Sequence, residues 1–135
     1  MSLPDKNPIE IIPDLAEMPR VDRDVTQCLK FIARHPWGKP LDRARDIYRG
    51  YARIQRGPLL NPIKVRRRSL GLELRRHNAA QFAIIYAYVK PNEEFPRGLV
   101  SIRAVRHARV RDVFSGVREQ APPPHYFNAT TSFAE

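Results

Sequence analysis

Only one cysteine, Cys28, occurs in the chain, so no internal disulfide can form and stability has to come from an apolar core. Its place on an apolar helical stripe reads as a buried structural thiol, not a nucleophile. No apolar run approaches the roughly 20 residues that span a bilayer. The first residues are polar and proline-rich, where a secretory signal would be basic and then apolar. A soluble, cytoplasmic protein without membrane contact is the expectation. Metal-ligand spacing is absent as well: His35, His77, His107 and His125 lie far apart, with no cysteine or paired carboxylate beside them. No metal and no cofactor is expected, and no internal repeat is visible.

Positive charge is what the sequence has in excess. Twenty-four basic side chains stand against fourteen acidic ones, a net +10, and arginine supplies most of the positive side. The distribution is uneven: residues 1–24 hold three basic and six acidic side chains, net −3, while residues 42–118 hold eighteen and six, net +12. Arginine grips phosphate and carboxylate with two parallel hydrogen bonds, so such a surface points to nucleic acid or an acidic protein segment as partner. The bland alternative is a merely solvated surface.

Two long apolar runs organise the chain. In Gln81 to Val89, Phe82, Ile84, Tyr86 and Tyr88 alternate with Ala83, Ile85, Ala87 and Val89, the pattern of a central strand buried on both faces. In Leu99 to Val105, Val100, Ile102 and Ala104 face one way and Ser101, Arg103 and Val105 the other, which suits a half-covered neighbour. The turn-rich segment Lys90 to Gly98, with two prolines, makes the pair an antiparallel hairpin.

Upstream, Pro8 to Leu15 reads as a short edge strand interrupted by Pro13. Val21, Val25, Cys28, Leu29 and Ile32 form the stripe of an amphipathic helix ending near His35-Pro36. His35 and Trp37 are read as parts of that ending, without a site role. A second helix from Pro40 to about Gln55, stopped by Gly57-Pro58, has Leu41, Ala44, Ile47, Tyr48, Tyr51 and Ile54 as its inner face. Arg43, Arg45, Arg49, Arg53 and Arg56 lie opposite as a basic strip, equally suited to phosphate or to solvent. The short connection makes the two helices an antiparallel hairpin. Ile63 to Leu70 is a further strand with Lys64, Arg66 and Arg68 outward. Val110, Val113, Phe114 and Val117 suggest a closing helix or turn. The expectation is an α+β domain over residues 1–118, a small antiparallel sheet of about four strands on a helical hairpin in the order β-α-α-β-β-β and then a short helix. Residues 119–135, with little to bury, read as a flexible tail.

With that order, the basic strand at 63–70, the aromatic-x-aliphatic-aliphatic-Tyr segment Phe82-Ala83-Ile84-Ile85-Tyr86 and the strand running into Val105-Arg106-His107, the chain resembles the RelE/ParE superfamily of bacterial toxins from type II toxin–antitoxin pairs. The likeness spans roughly residues 8–118, and its specific part is 63–114. It implies a basic concavity that meets the target and a cognate acidic antitoxin as neutralising partner in a hetero-oligomer. Members resembling RelE cut messenger RNA on the ribosome. In that role Lys64, Arg66, Arg68, Arg75, Arg76, Arg103 and Arg111 would hold the target, with Arg106, His107 and Arg109 at the chemistry and His107 carrying a proton.

The chain departs from that pattern at three places. Ala83 stands where an arginine usually follows the strand aromatic, Ala108 at a phosphate-binding arginine, and Phe114 at a terminal tyrosine. Phenylalanine cannot transfer a proton. The ParE branch, whose members poison DNA gyrase, needs no such groups, and His107-Ala108-Arg109-Val110-Arg111-Asp112 echoes its histidine, arginine and aspartate with altered spacing. That branch is therefore preferred to RelE-like cutting. A third reading is a non-enzymatic nucleic-acid-binding module, for which stacking aromatics are scarce, because Tyr86 and Tyr88 read as core.

Overall fold

The computed structural model describes residues 11–120. Across them run β1 (Asp14–Glu17), α1 (Arg20–Ala33), α2 (Pro40–Arg56), β2 (Ile63–Arg67), a single 3-10 turn (Arg68–Leu70), β3 (Leu72–Ala79), β4 (Phe82–Val89) and β5 (Leu99–His107). The fold class is α+β, with the two helices ahead of the main run of strands. Five strands, not four, form one sheet in the order β1-β5-β4-β3-β2. The sheet is mixed where an antiparallel one was expected, because β1 runs parallel to β5 while every other pairing is antiparallel.

The strand that periodicity missed is β3. Leu72 and Leu74 alternate as a strand should, but Arg75-Arg76-His77-Asn78 then breaks the apolar pattern. Hydrogen bonds hold that half of the strand. Asn61, in the loop after α2, accepts from the Arg75 guanidinium through its carbonyl, and its side-chain amide donates to His77 Nδ1 at 3.2 Å and to the Tyr86 hydroxyl at 3.2 Å. Tyr86 in turn donates to the carbonyl of Pro58 at 2.6 Å. The loop is thereby fastened to the sheet at three points.

β4 is central, and its two faces separate as the alternation requires. Phe82, Ile84 and Tyr86 meet Val21, Val25 and Ile32 of α1 and Ile47, Tyr51 and Ile54 of α2 in one core. Ala83, Ile85 and Ala87 join Leu72, Leu74, Ala104, Val113 and Val117 in a second core on the opposite face. Gly50 lets α2 approach closely, since a Cβ there would lie 2.6 Å from Ile84 Cδ1 and 2.8 Å from Ala79 Cβ. Of the expected inner face of α2, Leu41 (77% exposed) and Tyr48 (41%) are instead turned outward.

β5 carries a bulge. Ile85 pairs with Ala104 but Tyr86 with Ile102, leaving Arg103 as the extra residue. The bulge reverses the alternation beyond it: Val105 joins Val100 and Ile102 under the helices, and Ala104 moves to the opposite core. Arg103, expected on the target-binding surface, is fully buried.

After β5 the chain makes a run of turns in place of the expected short helix, with Ser115 N–H bonded to Asp112 O, Val117 N–H to Phe114 O and Gln120 N–H to Val117 O. Val113 and Val117 are still buried, whereas Val110 is 44% exposed. The tail expected at 119–135 lies outside the described residues except for Glu119 and Gln120, and Gln120 donates to the Arg103 carbonyl at 3.2 Å.

Replacing Ile84, 0% exposed, by alanine should cost about 2 to 5 kcal/mol through lost transfer and an unfilled cavity, read by chemical denaturation. Gly50→Ala should cost about 1 to 3 kcal/mol by overpacking.

Acid should also weaken the fold through His77. Burial first, and then the nearby Arg53 cation, lower its basicity below the ordinary histidine value of 6.5. The native state thus prefers the neutral ring, whose Nδ1 accepts from Asn61. Its contribution is complete above the unfolded value and is lost as pH falls through the lower folded one. Denaturation midpoints measured between neutral pH and about pH 5 should fall more steeply for the wild type than for His77→Gln.

Candidate target-binding site

The sheet edge beyond β1 sets the site. β1 covers β5 only from Leu99 to Ile102, and Met18 N–H closes the pairing on Ile102 O at 2.9 Å. From Arg103 onward that edge has no strand beside it among the described residues, and an open edge invites unwanted pairing. Side chains of α1 take its place: Asp24 Oδ2 accepts from Val105 N–H at 3.1 Å, and the Cys28 thiol lies 4.0 Å from the Val105 carbonyl. Arg20, one helical turn before Asp24, holds both carboxylate oxygens at 3.3 and 3.1 Å. Burial, and then Asp24, raise the Cys28 thiol above its ordinary value, which keeps it uncharged and a poor nucleophile.

Between this stretch of α1 and the ends of β4 and β5 lies a cleft of about 480 Å³. Phe31, Phe82, Val105 and Val110 make its apolar wall, and Arg20, Arg106 and His107 its polar one. Arg106 leans over the lip and donates through Nη1 to the carbonyls of Asp112 and Val113 at 3.3 and 3.1 Å. Burial, followed by the like charge of Arg20, lowers its guanidinium below the usual arginine value, while Asp24 and Asp112 oppose the shift. The following loop is braced by Asp112, which accepts two bonds from Arg118 at 2.9 and 3.0 Å and one from Phe114 N–H at 3.1 Å. That pairing with Arg118 is the main reason the Asp112 carboxyl sits below its ordinary value.

His107 packs edge-on against Phe82, ring centroids 6.4 Å apart. Its Nδ1 accepts from the Arg109 backbone N–H at 3.3 Å. A neutral ring bonded in this way carries its hydrogen on Nε2.

The remaining expected residues are scattered by the topology. Lys64, Arg66 and Arg68 belong to β2 and the turn after it, at the far edge of the sheet and the opposite end of its strands from His107. There Arg66 pairs with Glu73 at 3.0 Å and helps to line a separate hollow. Arg75 is engaged with Asn61. Arg76 reaches across the sheet to the Ala108 carbonyl at 3.3 Å and also holds Asn78, so it joins the Arg106 side of the molecule. Arg109 and Arg111 are exposed on the loop. Ala83 is fully buried and Phe114 packs on the second core, so neither position offers a polar group.

Sequence reasoning missed Arg20 and Asp24. Their i, i+4 spacing was a signal for an ion pair, but nothing local showed that Asp24 would meet the edge of β5. Among the described residues no cluster of His, Cys, Asp or Glu could hold a metal ion, and no helix is long and apolar enough to cross a membrane. No family model and no curated protein matches the chain.

Asp24→Ala would strip the Val105 N–H of its acceptor and Arg20 of its partner, an expected loss of about 1 to 3 kcal/mol by urea denaturation. Asp24→Asn keeps an acceptor for that N–H and should cost less.

Proposed function

We propose that the protein is a growth-inhibitory toxin of the RelE/ParE kind that works in the cytoplasm by binding its target, with ParE-like poisoning of DNA gyrase ahead of RelE-like cutting of messenger RNA. A sheet resting on a helical hairpin, in the element order that the resemblance implies, supports the family. The observation that carries the preference for binding is the state of His107, whose Nδ1 is committed to the Arg109 backbone. In that tautomer the ring's lone pair is on Nδ1 and not on Nε2, and Ala83, Ala108 and Phe114 supply no other acid–base group. The phosphate clamps expected from Lys64, Arg66 and Arg68 stand at another corner of the sheet. A cognate antitoxin with an acidic segment is the proposed partner, its approach steered by the +12 of residues 42–118.

Expression should inhibit DNA supercoiling and elicit a DNA-damage response, leaving ribosome-bound messenger intact in a purified translation system. His107→Ala should change toxicity only a few-fold, where loss of an acid–base catalyst would remove roughly 10² to 10⁴ in rate. Cutting of ribosome-bound messenger that His107→Ala abolishes would instead establish a rearranged nuclease site.

A further inference from the structure

The tip of the helical hairpin exposes rings at and beyond the end of the cleft. Trp37 is 90% exposed and Phe31 55% exposed. Phe31 packs edge-to-face on His35, with centroids 5.1 Å apart and planes at 73°, and His35 is itself exposed. Apolar rings of this size are ordinarily covered. A second hollow of about 360 Å³ runs between these rings, Lys39 and Gln81, and it meets the 480 Å³ cleft at Phe31, which lines both.

The two hollows make one track alongside α1. Lys39 stands near one end, the rings follow, and Arg20, Arg106 and His107 stand at the other. From Arg20 to Phe31 the helix alone spans about 16 Å at 1.5 Å per residue. Among the described residues Asp24 is the one carboxylate on the walls of either hollow, and its oxygens are taken by Arg20 and the Val105 N–H. The track is thus cationic and aromatic by turns, with its negative charge neutralised internally.

We infer that this track is a binding site for single-stranded nucleic acid, in which Trp37 and Phe31 stack on bases while Lys39, Arg20 and Arg106 meet the phosphates. Stacking on exposed rings beside a cationic groove tolerates any base, because every base has a π-face, and it requires bases freed from a duplex. A protein partner would also seek an exposed tryptophan. Rings and cations lining two adjoining hollows, on a chain of net +10, suit a strand in which bases and phosphates recur together. The site goes beyond the target reading and its test does not depend on toxicity.

Trp37 is the chain's only tryptophan, so its fluorescence reports stacking directly. Titration with oligo-uridine or oligo-thymidine should quench it saturably, and the matching duplex should quench it far less. Anisotropy of a labelled strand should show Trp37→Ala and Phe31→Ala each weakening binding about tenfold or more. Both side chains are exposed, and an unchanged circular dichroism spectrum will verify that the variants fold. Lys64→Ala, at the far edge of the sheet, should weaken binding much less. Equal affinity of the wild type and both ring variants would mean adhesion through net charge alone and would overturn the site. So would a tryptophan that duplex quenches as well as single strand, or one that ignores every oligonucleotide and responds only to a protein partner.

Discussion

Burying both faces of β4 requires a cover on each side, and most of the molecule is arranged to supply the two. The helical hairpin covers the face of Phe82, Ile84 and Tyr86 with large aliphatic and aromatic side chains. The opposite face presents Ala83, Ile85 and Ala87, and its cover is a short run of turns that contributes Val113 and Val117. Small residues on that face suit a thin cover, because turns bring few side chains and cannot fill a deep layer. Arg106 holds this cover down through the carbonyls of Asp112 and Val113, so a side chain at the cleft is also a fastening of the core.

The same arrangement creates the cleft. A four-residue β1 leaves the outer edge of the last part of β5 without a strand among the described residues, and α1 closes the gap with Asp24 instead of with backbone. A helix standing off a strand edge leaves space between them, and the cleft is that space. Its walls combine the rings of Phe31 and Phe82 with the cations Arg20 and Arg106. Net charge of this sign acts over distance on anions, and that long-range field is distinct from the few contacts a cleft can offer.

The bulge at Arg103 shows how one backbone irregularity redistributes side chains. A strict period of two would have placed Val105 with Ser101 and Arg103; the extra residue returns it to the helix side and takes Arg103 inside. The rest of β5, including Arg106 and His107, takes its facing from this point onward. No pattern in Leu99 to His107 marks the bulge, since apolar residues occupy both faces around it.

Wherever burial is apolar and periodic, the sequence by itself determined the element: both helices, the two-faced β4 and its hairpin with β5 follow from spacing that a local chain cannot satisfy otherwise, whereas the rim strand expected at Pro8 to Leu15 forms at Asp14–Glu17, beyond Pro13. The candidate site was legible only in part. Arg106, His107 and Arg109 were readable because they adjoin a recognisable strand, whereas β3 was not, because hydrogen bonds to Asn61 sixteen residues before His77 replace apolar periodicity there. Tertiary structure alone decided that Lys64, Arg66 and Arg68 stand away from His107, that Asp24 caps the β5 edge, and that Trp37 stays uncovered. Those outcomes depend on which strands become neighbours and in what register, and register is fixed by contacts between segments far apart in the chain, which no local periodicity records.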